Sequence, residues 1–369
     1  MKKTFLFLSL IAMAIMSAAQ SNAVDKLKNI LKSHTAQDTF RVNRLNEIAN
    51  SWYLNPGDRK KYATEALAIS DKIKYTLGRG IALTVLGFIK FIEGKPEEAK
   101  TFFHQADAIA KKAGDPGLQA NLLWRSSYLS VDKKEWTLLL QKADSLAKKA
   151  NNPDLQVNVL RQLGKILSGS DPEKGLSYLF QAQAIAEESG NKDLLNLVQS
   201  TIGYVYMQVQ SNYAKAMEYY LKGLHTAEEA NNPSLLINSW GDLGGFYSDM
   251  GDQPTALAYL LKAENVNKKL GNESVERTLQ NSIGEQYRIT NHYPEAIAAY
   301  NKAIKLAPGI VYVNESNLAD VYTRMGSLPL AFQYAFTSLK VAKASNDIII
   351  VAWIDGILSR AYLKKNRTD

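Results

Sequence analysis

Few residues in this chain have a type and spacing that could do chemistry. No cysteine occurs among its 369 residues, which removes disulfides, thiolate nucleophiles, Cys-ligated zinc and a lipidated N-terminal cysteine. The four histidines, His34, His104, His225 and His292, show no metal-ligand spacing, so each is expected at a surface or in a turn. Gly241–Asp242–Leu243–Gly244–Gly245 is a glycine cluster. It lacks the lysine and spacing of a phosphate loop, and no strand precedes it as a dinucleotide site would need. Close helix packing is the expectation there. Neither a nucleophile-elbow serine nor a zinc-protease helix motif occurs. Asn272–Glu273–Ser274 and Asn314–Glu315–Ser316 fit the glycosylation sequon, which carries no chemistry of its own. No enzyme, cofactor or metal is expected.

Behind these residues stand helices. Asn281 to Pro308 (NSIGEQYRITNHYPEAIAAYNKAIKLAP) reads as a helix, a tight turn, a second helix and a stop. Ile283, Gly284 and Tyr287 share one face of the first helix. Thr290–Asn291–His292 breaks it, and Pro294 suits the first turn of the next, where a missing N–H costs little. Ala296, Ile297, Tyr300, Ala303 and Ile304 recur at three- and four-residue spacing, the mark of one buried face. Pro308 cannot continue a helix. Gly284, Ala296 and Ala303 are small where two helices must approach, and Tyr287 and Tyr300 fill the space between them.

This order of Gly, Tyr, Ala, Tyr, Ala and Pro resembles the tetratricopeptide repeat, and versions of it recur along the chain. Aligned on the small residue of the first helix, the anchors are Ala49, Gly87, Arg125, Gly164, Gly203, Gly244, Gly284, Ala319 and Ser359. Most intervals exceed the about 34 residues of the ordinary unit, which implies longer second helices and exit turns. Those turns are expected at Gly114–Asp115, Asn151–Asn152–Pro153, Gly190–Asn191, Asn231–Asn232–Pro233, Gly271–Asn272 and Pro308–Gly309, because Gly and Asn tolerate the left-handed conformation that ends a helix. Second helices echo as Ala99/Phe103/Ala106, Gly175/Leu179/Ala182, Ala216/Tyr220/Gly223 and Ala256/Leu260/Ala263. Two repeats depart. The first has Arg59 at the small second-helix position; the third has Arg125 for the expected Gly and Trp136 for the expected Ala. The resemblance implies an all-α fold, an α-solenoid (right-handed superhelix) of about eight and a half helix hairpins.

In tetratricopeptide proteins the first helices line the inner, concave surface, which implies where a guest would lie. The positions facing it are Asn43, Asn46 and Asn50 in the first repeat, Phe88 and Phe91 in the second and Asn158, Arg161 and Lys165 in the fourth. The fifth presents Tyr204 and Met207, the sixth Asn238 beside Gly241 and Gly245, and the seventh Asn281, Glu285 and Arg288. Asparagine amides donate and accept together and suit an extended backbone. Arg161 and Lys165 suit a carboxylate, and Phe88, Phe91 and Tyr204 suit apolar side chains. Solvated helix surface is the plain alternative at each position.

The ends set the context. Residues 1–23 read as a secretory signal, with Lys2 and Lys3 before a mostly apolar run from Thr4 to Met16, and small residues at Ser17–Ala18–Ala19 and Ser21–Asn22–Ala23 for cleavage. Export to a periplasm is expected, with no membrane span in the mature chain. Residues 24–34 are expected to form a capping helix, and residues 35–369 the repeat array. The formal charge is +8, but charges of both signs are interspersed and no basic stripe points to nucleic acid. Ile348 to Tyr362 matches a first helix whose partner is missing. Truncation, cover by another protein or a second copy, or folding back on its neighbour would each account for that. Two functions are expected to compete. One is an exported scaffold that binds protein or peptide segments. The other is the sensory half of a signalling protein, since a leader followed by long repeats resembles certain Bacteroidetes-type regulators that carry a membrane helix and a histidine-kinase or DNA-binding output. Signalling-peptide receptors of the cytoplasm have similar long repeats, and the leader argues against them.

Overall fold

The computed structural model describes residues 22–51, 54, 56–130, 132–306, 312–344 and 347–368. Most of the expected leader and the expected exit turn Pro308–Gly309 lie outside them. The described residues form eighteen α-helices and one 3₁₀ turn, with no strand among them. The chain divides into two compact units, Met1–Ser239 and Trp240–Asp369, and the border falls inside one helix, Pro233–Asp249.

The first unit begins with α1 (Asn22–Ser33), which lays Leu31 among Val42, Leu45, Ile48 and Ala66. Helix pairs follow: α2 (Thr39–Asn50) with α3 (Pro56–Lys72), α4 (Thr76–Ile92) with α5 (Pro96–Ala113), α6 (Pro116–Ser126) with α7 (Lys133–Lys149), α8 (Pro153–Ser168) with α9 (Pro172–Glu188), and α10 (Lys192–Gln208) with α11 (Tyr213–Ala230). Helix α12 (Pro233–Asp249) crosses the border. In the second unit follow α13 (Gln253–Leu270), α14 (Glu273–Ile289) with α15 (Tyr293–Leu306), α16 (Tyr312–Met325) with α17 (Leu328–Ala344), and α18 (Ile348–Thr368).

A two-residue device punctuates the pairs. Gly114, Asn151, Gly190, Asn231 and Gly271 all take positive φ, between 52° and 67°, and each closes a helix. The next residue is Asp or Asn, and its side chain accepts from a backbone N–H of the new helix. Asp115 holds Leu118 N at 2.6 Å, Asn152 holds Leu155 N at 3.0 Å and Asn191 holds Leu194 N at 3.1 Å. One residue ends a helix and its neighbour starts another.

Within a pair, the small anchor of the first helix meets a large residue of the second. A Cβ on Gly203 would come within 2.8 Å of the Tyr220 ring, and one on Gly284 within 2.8 Å of the Tyr300 ring. Tyr300 is fully buried, as are Ala99, Ala216, Ala256 and Ala296. The glycine cluster behaves unevenly. A Cβ on Gly244 would come within 3.0 Å of Leu260, but Gly241 and Gly245 face open space, so close packing accounts for only one of the three.

The two irregular repeats keep the architecture by other means. In the first, buried Arg59 donates Nε to the carbonyl of the anchor Ala49 at 3.0 Å, and burial pushes its guanidinium down to about 10. In the third, the indole of Trp136 occupies the place of a small residue and donates to Ser127 Oγ at 2.9 Å. Here α6 stops at Ser126 and the chain passes through a 3₁₀ turn, Ser127–Leu129. The last helix, α18, buries Ile354, Ile357 and Ala361 against α16 and α17. Ile348, Ile349 and Leu363 stay exposed.

Candidate functional site

The irregular third repeat opens a cavity of about 670 Å³ in the first unit. The first helices of neighbouring repeats wall it. Helix α4 contributes Phe88 and Phe91, the 3₁₀ turn Tyr128, α8 Arg161, Gln162, Lys165 and Ile166, and α10 Leu197; α7 adds Lys133 and Trp136. Four rings run through it in contact. Phe88 lies 6.1 Å from Phe91 and 5.4 Å from Tyr128, Phe91 lies 5.9 Å from Tyr128, and Tyr128 lies 5.9 Å from Trp136. Phe88 is the floor, only 4% exposed. The Tyr128 hydroxyl donates to Gln162 Oε1 at 3.2 Å, fixing the ring against α8.

The charges of this cavity are of one sign. Lys133, Arg161 and Lys165 line it, and among the described residues no Asp or Glu does. Arg161 Nε is buried with no hydrogen-bond partner among the described residues. Burial pulls its guanidinium below the ordinary range, and the nearby Tyr128 hydroxyl pulls the other way. Burial likewise pushes the Tyr128 phenol up, against the opposing charges of Arg161 and Arg125. A half-buried cation whose Nε is shut off from water carries a desolvation cost, and a carboxylate entering the cavity would offset it. Lys165 leaves the cavity towards Tyr204, its Nζ 5.9 Å from the ring centre.

A second cavity of about 820 Å³ lies next along the same helices, lined by Asn50, Asn121, Trp124, Arg125 and Asn158 among others. Arg125 stands between the two. Its guanidinium lies 4.9 Å from the Phe88 ring centre and 5.0 Å from that of Trp124, and it donates to Asn121 Oδ1 and Asn50 Oδ1, both at 2.8 Å. Burial and the charge of Arg59 push it down to about 9, against Tyr128.

The structure thus brings Phe88, Phe91, Arg161 and Lys165 together, sets Tyr204 beside them, and places Asn50 and Asn158 in the adjoining cavity. Asn46 is elsewhere. It is buried, and its amide donates to Gly78 O at 3.0 Å, tying one repeat to the next. Asn43 is exposed and accepts from the Tyr75 hydroxyl at 3.1 Å, and Asn238 is exposed. In the second unit, Asn281 accepts from Asn317 at 3.3 Å. Glu285 pairs with Arg288, and Arg288 Nη1 donates to fully buried Asp320 at 2.6 Å. Arg288 is only 8% exposed, so that group is an internal ion network. Tyr128, Trp136 and Gln162 belong to the cavity and were not among the expected residues, although Trp136 already stood out where Ala is usual. Among the described residues no group of three His, Asp or Glu is placed to hold a metal ion, and no helix is long and apolar enough to cross a membrane.

Comparison with known proteins agrees with this architecture. Residues 279–310 match the tetratricopeptide repeat model. A kinesin light chain-related protein of Arabidopsis thaliana is 31% identical over 106 residues, 26% of this chain and 16% of that one. Among solved structures, yeast Tom70 superposes with a TM-score of 0.62 at 14% identity, over 85% of this chain and 63% of that one. The quorum sensor NprR of B. thuringiensis, in its apo form, superposes with a TM-score of 0.56 at 14% identity, over 86% and 97%. The chain is an all-α protein of tetratricopeptide-type helical repeats, an architecture compatible with holding other proteins.

Proposed function

We propose that this chain is an exported, non-enzymatic scaffold that holds a segment of another protein in the aromatic cavity of its first unit. The observation that carries this is the cavity itself. Four touching rings form an apolar wall, three cations rim it, and among the described residues no carboxylate lines it. Aromatic and arginine side chains in a desolvated pocket are what protein interfaces rely on most. Support for a periplasmic location comes from the leader-like residues 1–23.

Reversing the charge with Arg161→Glu and Lys165→Glu tests the site. The tagged variant is expected to capture at least about tenfold less partner from a cell-envelope extract than the parent, a loss of about 1.4 kcal/mol or more, with unchanged helical circular dichroism. Equal capture would remove this cavity from the binding surface.

A second reading is the sensory segment of a histidine kinase or DNA-binding regulator. It draws support from the likeness to a quorum sensor, which at 14% identity is a likeness of fold. An open reading frame beyond Asp369 that encodes an apolar segment of about 20 residues would favour it, and a stop codon there would favour the free scaffold.

A further inference from the structure

A separate cavity of about 550 Å³ lies where α3 turns into α4, with α5 alongside. It shares no lining residue with the two cavities described above. The turn that forms it departs from the device at the other borders. The left-handed residue is Lys74, at φ 57°, where those borders have Gly or Asn. The next residue is Tyr75, where they have a capping Asp or Asn, and its side chain makes no capping hydrogen bond. The Tyr75 ring packs against the cluster of Val42 and Leu45 instead. The positive end of α4 is therefore unanswered by the chain, and Thr76, its first residue, lines the cavity.

The side chains around this helix end are mainly cationic. Lys74, Arg79 and Lys112 line the cavity, and Asp71 is the one carboxylate there among the described residues. Asp71 accepts from Arg79 Nε at 2.7 Å. Among the described residues, Lys74, Lys112 and both Arg79 Nη groups have no partner. Three positive charges against one negative leave a net of two. Ser70 belongs to the same lining and is only 1% exposed, and its hydroxyl has no hydrogen-bond partner among the described residues. A buried hydroxyl left unpaired is costly. The helix start, the cations and the hydroxyl all lack the same thing, an acceptor.

We infer that this cavity binds a phosphate dianion, either free or as the monoester of a small molecule. Two negative charges match the net charge of the lining. Several acceptor oxygens on one centre suit the Ser70 hydroxyl, the Arg79 fork and the start of α4 together. A carboxylate brings half the charge and fewer oxygens. Ala108 and Ile109, also in the lining, give an ester group an apolar flank. The inference does not rest on the scaffold reading, which concerns the ring cavity.

Isothermal titration calorimetry tests it on the full chain, at low salt and about pH 8, where phosphates are dianions. Inorganic phosphate is expected to bind saturably at about 1 mM or below, and acetate about tenfold more weakly. Phenyl phosphate binding about threefold tighter than inorganic phosphate would assign the site to a monoester; equal or weaker binding would assign it to the free ion. Lys74→Gln with Lys112→Gln, both at exposed positions, is expected to weaken phosphate about tenfold. Ser70→Ala is expected to weaken it about fivefold. Without phosphate, Ser70→Ala should melt at the parent's temperature or higher, because the hydroxyl it removes has no internal bond to lose. No saturation by either phosphate up to about 10 mM, acetate binding as tightly as phosphate, unchanged affinity in either variant, or a lower melting temperature for Ser70→Ala would overturn the inference. Protein capture by the ring cavity is untouched by any of these results.

Discussion

Asp320→Ala is expected to cost the second unit about 3 kcal/mol at neutral pH. The Asp320 carboxylate is fully buried. It accepts from Arg288 Nη1 at 2.6 Å, Arg324 Nε at 2.7 Å and Arg360 Nη2 at 2.8 Å, groups on α14, α16 and α18. Arg288 and Arg360 also flank Trp353, 5.8 and 5.7 Å from its ring centre. Removing the carboxylate leaves Arg288 buried with Glu285 still paired to it, which is why the low end of the usual cost is expected. Arg324 and Arg360 reach solvent and add little. Urea unfolding followed by hydrogen exchange in α16 measures the loss, and a loss below about 1 kcal/mol would show that the network contributes no more than surface pairs.

The same network has a pH signature. Burial by itself raises the Asp320 carboxyl, but hydrogen bonds from Arg324 and Arg360 and the charges of Arg324 and Arg288 outweigh it and hold it below the ordinary carboxylate range. A depressed folded-state value contributes stability above the unfolded value of about 3.9 and loses it as pH falls through the folded one. The gap between parent and Asp320→Ala should therefore be full near neutrality and close as pH is lowered from about 5 towards about 2. A gap that widens in acid would contradict the assignment.

Gly175→Ala is expected to cost about 3 kcal/mol, at the high end for one added methyl. Its Cβ would lie 2.2 Å from Ser168 Oγ and, more importantly, 2.6 and 2.7 Å from the Ser168 backbone N and Cα. No rotamer relieves a clash with backbone, so α8 and α9 must part. Ser168 is itself buried and donates to Gly164 O at 2.7 Å. Because Arg161 and Lys165 ride on the same helix, the variant should also weaken any guest in the ring cavity. Gly245→Ala is the control. Nothing lies within 4 Å of its new methyl, so a small gain, up to about 1 kcal/mol from helix propensity, is expected. Thermal unfolding of both variants tests this, and equal melting temperatures would refute the close approach of α8 and α9.

The fold was legible because its rules are local. A left-handed Gly or Asn followed by an Asp or Asn cap marks a helix border on the spot, and an anchor glycine implies a large partner such as Tyr220 or Tyr300 in the helix that follows. The site was legible only in part. Phe88, Phe91, Arg161 and Lys165 follow from the face that first helices present. Asn46 follows the same rule and yet binds Gly78 O inside the protein, since an amide reaching the next repeat looks, in sequence, like an amide facing a guest. Glu285 and Arg288 were obscure for a similar reason: Asp320, which Arg288 reaches, lies a repeat away, and no local spacing links the two. The irregular third repeat held the best clue. Arg125 and Trp136 break the pattern because they build the cavity, one as the partition and the other as a wall.

The most direct measurement is light-induced crosslinking in the living cell from a photoreactive phenylalanine analogue. It is placed at Phe91 in the ring cavity or at Leu138, an exposed position on α7 outside the cavity lining. Discrete protein adducts from position 91, lost when Arg161→Glu and Lys165→Glu are added, are the predicted result. Adducts from position 138 alone, or adducts from position 91 that ignore the charge reversal, would contradict the assignment of this cavity as the place where the chain holds its partner.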